Sequence, residues 1–341
     1  MPVELTAAIM RLPLAQTFRI ARETTDEVAV VQVEVRHGST VGHGEAAPIA
    51  RYDQSVESSL AYLERNADAL GDDPWALDDI HGRLPDGEPA ARAAIDAALH
   101  DLCGKLAGVP VWKLVGLRRG GPPTSWTIGI DDPDAMAQNA AREAPRFRRL
   151  KLKLGAGDGL DVERVRAVRG VTDLPLQVDV NEGWSADEAV ASLPQLHALG
   201  VEYCEQPLPA GDPAGPGVKR SSPIPIYVDE DCHTLADVAG CAGIAHGINI
   251  KLAKSGGLRE AMRMAYAARA LGLEVMLGCM IESGLGIAPG THIASLCDHV
   301  DLDGNLLISD DPWPGIELVD GVQTPPLEPG LGVRHAYDIV A

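Results

Sequence analysis

Short apolar segments recur through residues 125–304 and alternate with stretches of helical composition. They follow one another at steps of about 22 to 26 residues, a spacing typical of stacked βα units in a parallel sheet. The eight segments read SWTIGI, LKLKL, LQVDV, VEYCEQP, IPIYVDE, GINIKL, LEVMLG and HVDLDG. Eight strands close a (β/α) barrel, so the alternation predicts an α/β fold of the TIM-barrel type. An open doubly wound sheet is the alternative, but no glycine-rich phosphate turn follows the first strand.

The chain up to about residue 118 has a different pattern. VAVVQVEVRHG at 28–38 alternates along its length, and VGHGEA resumes the alternation after a turn, which predicts a β-hairpin. The segment at 88–108 has the apolar periodicity of a helix. Its apolar face contains Ile95, Leu99, Leu102 and Leu106.

These patterns divide the chain into two predicted regions. Residues 1–118 are expected to form a small α+β domain, and residues 119–314 the barrel. The segment 315–341 is rich in proline and glycine and contains no βα unit, so we expect it to pack back on the first domain.

The net charge of the chain limits the kinds of molecule that it is expected to bind. The 341 residues include 49 acidic and 29 basic side chains, a net charge of -20. This balance argues against binding nucleic acid or an anionic membrane, and it favours cationic metals and substrates, although solubility alone also accounts for it.

The cysteines and the apolar runs indicate the compartment. The six cysteines are scattered without a C-x-x-C pair, which argues against a zinc site. The start MPVELTAAIMRLPL lacks the pattern of a signal peptide, and no apolar run reaches the length of a membrane span. We therefore expect a cytoplasmic, enzyme-sized protein with reduced cysteines.

Three acidic residues end successive barrel strands. Asp179, Glu205 and Asp229 stand at one register, and the carboxyl ends of barrel strands form the active face. Three converging carboxylates need a cation, and an all-oxygen set suits Mg²⁺, with Mn²⁺ as a substitute. The alternative is that each residue caps the helix after its strand.

Lysines lie on both sides of these acids. Lys151 and Lys153 share one strand face, where we expect their charges to lower each other's pKa, and Lys251 follows from the sixth strand, across the barrel mouth. One lysine on each side of a metal-bound substrate suits two-base proton transfer at carbon, with the metal stabilising an enediolate. The alternative for each lysine is a solvated surface charge.

Asp301 and Asp303 flank one leucine on the eighth strand and therefore point to the same side. Two like charges at that distance require a positive partner. The residues alone leave three choices for it: a metal, a lysine of the protein or a substrate.

The motifs together resemble the enolase superfamily in its muconate-lactonizing branch. The motifs are KLK at 151–153, DVNEGW at 179–184, EQPLP at 205–209, DED at 229–231 and NIKLAKSGG at 249–257. The resemblance implies a modified (β/α)₇β barrel with an α+β capping domain. It also implies Lys153 and Lys251 as the acid/base pair, Lys151 on the substrate carboxylate and a Mg²⁺ site. The ligands of that site would be Asp179, Glu205 and Asp229.

Within this branch the chain is similar to dipeptide epimerases of the L-Ala-D/L-Glu type. In those enzymes a D-x-D on the eighth strand grips the α-ammonium of the dipeptide, and DLDG at 301–304 matches it. The resemblance implies that Thr127 also contacts substrate. It places Cys279 and Met280 at the border of the substrate, although Cys279 suits a small buried residue equally well. The implied reaction is a two-base 1,1-proton transfer at the α-carbon of the C-terminal residue of a small-molecule dipeptide.

Other reactions of the branch are the alternative. Muconate cycloisomerase, o-succinylbenzoate synthase and N-acylamino acid racemase share the enolate intermediate, but their substrates lack a free α-ammonium. A non-catalytic barrel that binds a ligand is a further alternative, although all five metal and lysine positions are filled.

The positions at which this chain differs from the Ala-Glu epimerases lie in the first domain. The loop FRIARETTDE at 18–27 places Glu23 or Thr25 where Ala-Glu epimerases have an arginine, with Arg22 close by. This makes a glutamyl substrate doubtful, and Glu23 and Asp26 would favour a basic or neutral side chain. Arg51 and Tyr52, in a second loop, either touch substrate or lie on the surface. The sequence leaves the dipeptide, the pathway and a homo-oligomer open.

Overall fold

The computed structural model describes residues 1–337. Its N-terminal part is an antiparallel sheet in the order β1-β2-β3, covered by helices. The strands are β1 (Glu4–Ile20), β2 (Glu23–His37) and β3 (Thr40–Ala46). The helices are α1 (Val56–Arg65), α2 (Leu77–Arg83), α3 (Pro89–Ala107) and α4 (Val111–Leu114). We call this part the cap.

The predicted hairpin is β2–β3, which pairs His37 with Thr40 around a turn that holds Gly38 at φ 62°. Helix α3 packs so closely on β3 that a Cβ on Gly44 would lie 2.1 Å from the carbonyl oxygen of Ala94. Glycine is therefore required where strand and helix meet.

The apolar face predicted for α3 is largely correct. Ile95, Leu99 and Leu102 are fully buried against Val31 and Val33 of β2. Leu106, in the last turn of the helix, is 39% exposed.

The barrel confirms the predicted fold class. One parallel sheet holds eight strands in chain order, β4 to β11, and a bridge between Thr124 and Val300 brings its two edges together. The strands are β4 (Trp126–Ile128), β5 (Leu150–Lys153), β6 (Leu176–Asp179), β7 (Val201–Glu205), β8 (Ile226–Val228), β9 (Gly247–Lys251), β10 (Glu274–Gly278) and β11 (His299–Asp301).

Helices follow seven of the eight strands, as in a (β/α)₇β barrel. They are α5 (Pro133–Glu143), α6 (Asp161–Arg169), α7 (Ala186–Ala198), α8 (Gly215–Ser221), α9 (Leu235–Cys241), α10 (Leu252–Ser255), α11 (Leu258–Ala270) and α12 (Gly284–Ile293). Both α10 and α11 follow β9. No helix among residues 1–337 has the length and apolar character needed to cross a membrane.

The segment after the barrel forms a short hairpin of β12 (Glu317–Val319) and β13 (Val322–Thr324). It then returns to the cap, where the Leu331 amide donates to the Asp101 carboxylate of α3 at 2.7 Å and the Val111 amide donates to the Gly330 carbonyl at 2.9 Å. Residues 338–341, which belong to the predicted returning segment, lie outside the described residues. The domain boundaries themselves stay a prediction.

A polar contact fixes the cap to the barrel. Glu45 near the end of β3 is buried, and it accepts hydrogen bonds from the Ser283 amide at 2.8 Å and from the Ser283 hydroxyl. Ser283 is the N-cap of α12. A carboxylate from the cap thus lies at the positive end of a barrel helix.

Candidate active site

Strand register brings the predicted acids together at the barrel mouth. Lys153 pairs with Asp179 across β5 and β6, and Asp179 pairs with Glu205 across β6 and β7. Glu205 pairs with Tyr227 of β8, so Asp229 is not at the common register predicted for the three acids. It lies two residues further along, on the same strand face. The three carboxyl side chains are almost completely buried.

Each acid is paired with a lysine. The Lys151 ammonium lies 2.7 Å from Glu205 Oε2 and 3.5 Å from Asp179 Oδ2. Lys153 contacts Asp179 at 2.6 Å, and Lys251 contacts Asp229 at 2.8 Å. These contacts form one buried network of alternating charge.

Carboxylates in this network raise the pKa of Lys151 and of Lys251. Burial disfavours the Lys151 ammonium, but the carboxylates of Asp301, Glu205 and Asp179 outweigh it and hold the Lys151 pKa well above its ordinary value. Burial likewise opposes the charge of Lys251, and Asp229 overcomes it and raises the Lys251 pKa. The lowering of the Lys151 pKa that the sequence suggested is therefore absent, because carboxylates surround its ammonium.

The acids respond in opposite directions. Burial raises the Asp179 pKa, but Lys153 and Lys151 outweigh it and the pKa falls below its usual range. Burial, reinforced by the charge of Asp179, raises the Glu205 pKa. Of the predicted acids, Glu205 is therefore the one in greatest need of a further positive charge.

The carboxylate oxygens of the three acids show whether these residues could hold a metal ion. Among residues 1–337 no three histidine, cysteine or carboxyl side chains converge closely enough to hold an ion, since lysine head groups lie between the acids. Glu205 Oε2 and Asp229 Oδ2 are nevertheless buried without a hydrogen-bond partner, although each lies within ion-pair distance of an ammonium. Two unsatisfied oxygens within a carboxylate-only donor set fit a hard divalent cation.

The predicted D-x-D lies across the mouth from this set. The Thr127 amide donates to Asp303 Oδ2 at 2.6 Å, and its hydroxyl donates to Asp301 Oδ1 at 3.2 Å. Lys151 reaches the other oxygen of Asp301 at 2.7 Å. Burial and the charge of Asp301 raise the Asp303 pKa to about 7.

Cys279 completes this side of the site. A Cβ on Gly304 would lie 3.2 Å from its Sγ, so the thiol borders the turn that follows Asp303. Burial, reinforced by the charge of Asp303, holds the Cys279 pKa well above its ordinary value. The thiol is therefore a neutral wall of the site.

Two cap loops reach the barrel mouth. Arg22 contacts Glu230 at 3.0 Å and donates to the Asn181 carbonyl at 3.3 Å, and Arg51 makes two hydrogen bonds to Glu182 at 2.9 and 3.0 Å. Tyr52 packs edge-on against the ring of His233 at 4.5 Å. Arg51 and Tyr52 thus contact the barrel through side chains of the strand-end loops.

The orientation of the first loop differs from the sequence expectation. Arg22 lies in the turn between β1 and β2 and faces the mouth, whereas Glu23 and Asp26 are exposed on β2. The Thr25 hydroxyl donates to the Glu27 carbonyl of its own strand. The cap-loop charge beside the barrel acids is therefore a cation, because the turn and not the strand points inward.

Several supporting residues were not identified from the sequence. Asn249 Nδ2 donates to Glu205 Oε1 at 2.7 Å, and Gln206 Oε1 accepts from the amides of Asp229 and Glu230. Asn249 is two residues before Lys251 in NIK, so strand alternation could have placed it on the same face. Lys254 contacts Asp229 Oδ1, the oxygen that Lys251 does not contact, and no local sequence pattern predicts this contact.

Two family profiles match the chain. The one described as "Mandelate racemase / muconate lactonizing enzyme, N-terminal domain" covers residues 3–116, and the one described as "Enolase C-terminal domain-like" covers residues 135–338. Together they span both the cap and the barrel.

Proteins similar in sequence and in structure include several epimerases. The L-Ala-D/L-Glu epimerase of Bacteroides thetaiotaomicron is 40% identical over 330 residues, covering 94% of this chain and 85% of that protein. A dipeptide epimerase from Enterococcus faecalis V583, solved with Mg and the dipeptide L-Leu-L-Tyr, superposes with a TM-score of 0.94 at 30% identity, covering 98% of this chain and 100% of that one. An N-succinyl Arg/Lys racemase from Bacillus cereus has the same TM-score at 29% identity, with 99% and 96% covered. The fold alone therefore does not distinguish these activities.

Proposed function

This chain belongs to the mandelate racemase and muconate lactonizing enzyme family, and on that basis we propose that it is a dipeptide epimerase. It is an isomerase that inverts the α-carbon of the C-terminal residue of a dipeptide. The dipeptide-epimerase names of its relatives support this activity over the other reactions of the family.

One observation carries the choice among reactions. Asp301 and Asp303 form a buried acidic pair anchored on Thr127, and Lys151 is already shared with Glu205. The two carboxyl groups thus share one ammonium, and burial together with the charge of Asp301 raises the Asp303 pKa. A further positive charge beside the pair would stabilise its ionised form. The α-ammonium of a dipeptide supplies the missing charge, whereas the acylated nitrogen of an N-succinyl amino acid is neutral.

We assign the metal site to Asp179, Glu205 and Asp229. The unsatisfied Glu205 and Asp229 oxygens and the all-oxygen donor set suit Mg²⁺, with Mn²⁺ as a substitute. When bound, the ion supplies Lewis-acid stabilisation of the negative charge that develops on the substrate carboxylate.

The two lysines that would move the proton are Lys153 and Lys251. They lie on β5 and β9, four strands apart in an eight-stranded barrel, and hence on opposite sides of the mouth. In one direction the neutral amine of one lysine takes the α-proton, and the ammonium of the other gives a proton to the opposite face. In the reverse direction they exchange roles, so the α-carbon inverts without any group leaving.

The remaining assignments concern binding. Lys151 would hold the substrate carboxylate with its buried ammonium, and Thr127 would position the two aspartates that receive the α-ammonium. Cys279 would border the dipeptide as a neutral wall. Arg22, the cap-loop cation at the mouth, makes acidic C-terminal residues worth testing beside neutral and basic ones.

A dipeptide library in D₂O with Mg²⁺ tests the proposal. We expect one deuteron to enter the C-terminal α-carbon, detected by mass spectrometry, together with formation of the second diastereomer. A matched set of N-acetylated dipeptides is the control, because acetylation removes the charge that Asp301 and Asp303 bind. Absence of exchange with every free dipeptide would contradict the proposal, and better turnover of the acetylated set would favour an N-acylamino acid racemase instead.

A further inference from the structure

Lys254 is a buried cation that the proposed mechanism does not use. It lies in α10, three residues after Lys251, and is 1% exposed. A buried lysine is tolerated only where its three N–H groups find acceptors. The acceptors here come from two segments of chain, the turn at 229–232 that follows β8 and the strand β9.

The contacts of Lys254 converge on Asp229. Its ammonium lies 2.5 Å from Asp229 Oδ1 and also donates to the Asp229 carbonyl. It further donates to the Cys232 carbonyl at 2.9 Å and to the Asn249 carbonyl at 3.4 Å. Both the backbone and the side chain of Asp229 are thus held by one group.

This arrangement separates the two oxygens of Asp229. Oδ1 is engaged by Lys254 from behind, and Oδ2 faces Lys251 at 2.8 Å without a hydrogen bond. Rotation of the carboxylate would break the Lys254 contact, so the orientation of Oδ2 toward the mouth depends on it. Lys254 also bridges to the carbonyl of Asn249, whose side chain holds Glu205.

We propose that Lys254 is a positioning residue for the divalent-metal site, fixing Asp229 as a ligand that offers only Oδ2. The inference rests on the proposed metal site. Lys254 would act through its contact with Asp229 and not by binding the metal or the substrate itself.

A purely structural role is the competing explanation, and the cap contains a matched case. Lys105 of α3 also contacts a buried carboxylate, Asp101, at 2.6 Å, and donates to the Val41 carbonyl at 2.9 Å. That pair lies in the cap, away from the barrel mouth. Lys105→Met therefore removes a lysine contact to a buried carboxylate without touching the site, although Lys105 is more exposed than Lys254.

The experiment measures Mn²⁺ affinity of the full-length protein by electron paramagnetic resonance, without substrate. We expect Lys254→Met to weaken Mn²⁺ binding about 10- to 100-fold, the usual effect of removing a group that orients a metal ligand, while Lys105→Met binds as the wild type does. Circular dichroism melts of the metal-free proteins report folding independently. Affinity of Lys254→Met equal to or tighter than that of the wild type would overturn the inference, since loss of a nearby cation by itself favours metal binding.

A second variant covers the case in which Lys254→Met is unstable. Lys254 lines a crevice of about 470 Å³ between cap and barrel, together with Arg92, His233 and Arg259. Propylammonium can enter it and replace the amine missing in Lys254→Ala, so we expect the added amine to restore Mn²⁺ affinity. An amine that restores folding but leaves the affinity low would show a structural role only. Wild-type protein that binds no Mn²⁺ would instead refute the proposed metal site.

Discussion

Asp303→Asn should make the metal-free protein more stable at alkaline pH and less active. In the folded protein burial and the charge of Asp301 raise the Asp303 pKa from 3.8 to about 7. An acid whose pKa is raised by folding stabilises the protein at low pH, and that stability is lost as pH rises through the folded pKa. The amide introduced by the substitution does not ionise, so this loss disappears.

The magnitude follows from the shift. At about 1.4 kcal/mol per pKa unit, ionisation of Asp303 costs about 3 kcal/mol of stability between pH 5 and pH 8. The hydrogen bond from the Thr127 amide survives, because an amide oxygen accepts it as a carboxylate does. Removing a charged partner of the α-ammonium should cost about 1.5 to 3 kcal/mol in binding, a loss of about 10- to 100-fold in kcat/KM.

Urea unfolding at pH 5 and pH 8, with metal removed, measures the stability term. Asp86→Asn is the control, because Asp86 is an exposed acid of the cap paired with Arg92, and its substitution should leave the pH dependence unchanged. If wild type and Asp303→Asn lose the same free energy of unfolding between the two pH values, the pKa of Asp303 is not raised as described above. If the variant keeps full activity, the ammonium assignment is wrong.

Three further outcomes are expected. Lys153→Ala and Lys251→Ala should each abolish epimerisation. Each variant should still exchange the α-proton of one diastereomer for deuterium, a different diastereomer in each variant, which proton NMR can follow. Exchange of both diastereomers by either variant would rule out a two-base mechanism. Removal of divalent metal with EDTA should abolish turnover and added Mg²⁺ or Mn²⁺ should restore it, and full activity of the EDTA-treated enzyme would refute the metal site. Gly44→Ala should destabilise the cap by about 1–3 kcal/mol, because its Cβ would lie 2.1 Å from the Ala94 carbonyl oxygen; an unchanged melting temperature would contradict that packing.

The sequence placed the barrel correctly because its signals are local. Strand composition and the βα spacing identified all eight strands, and the residue at each strand end then followed from register. Lys153, Asp179 and Glu205 could be placed side by side without any knowledge of their contacts. Their roles in chemistry remain proposals.

What the sequence missed depends on contacts between distant segments. Lys254 lies in a four-residue helix whose direction is set by packing on α3, and nothing in its neighbours indicates that it points at Asp229. The position of Arg22 in a loop alignment does not show where its side chain points, because that direction is set by the turn between β1 and β2. The predicted lowering of the Lys151 pKa was wrong for a similar reason, because the sequence places Lys153 beside Lys151 but does not show the acids that contact its ammonium.

The contact of Glu45 with Ser283 has a consequence for how such an enzyme can change its substrate. It fixes the cap to the first turn of α12, at a point separate from the turn that carries Arg22. The turn between β1 and β2 can therefore vary in length or charge while the sheet of the cap stays packed on the barrel. If Arg22 faces the substrate side chain as we propose, a change in this turn would alter the dipeptide preference without any change to Lys153 or Lys251.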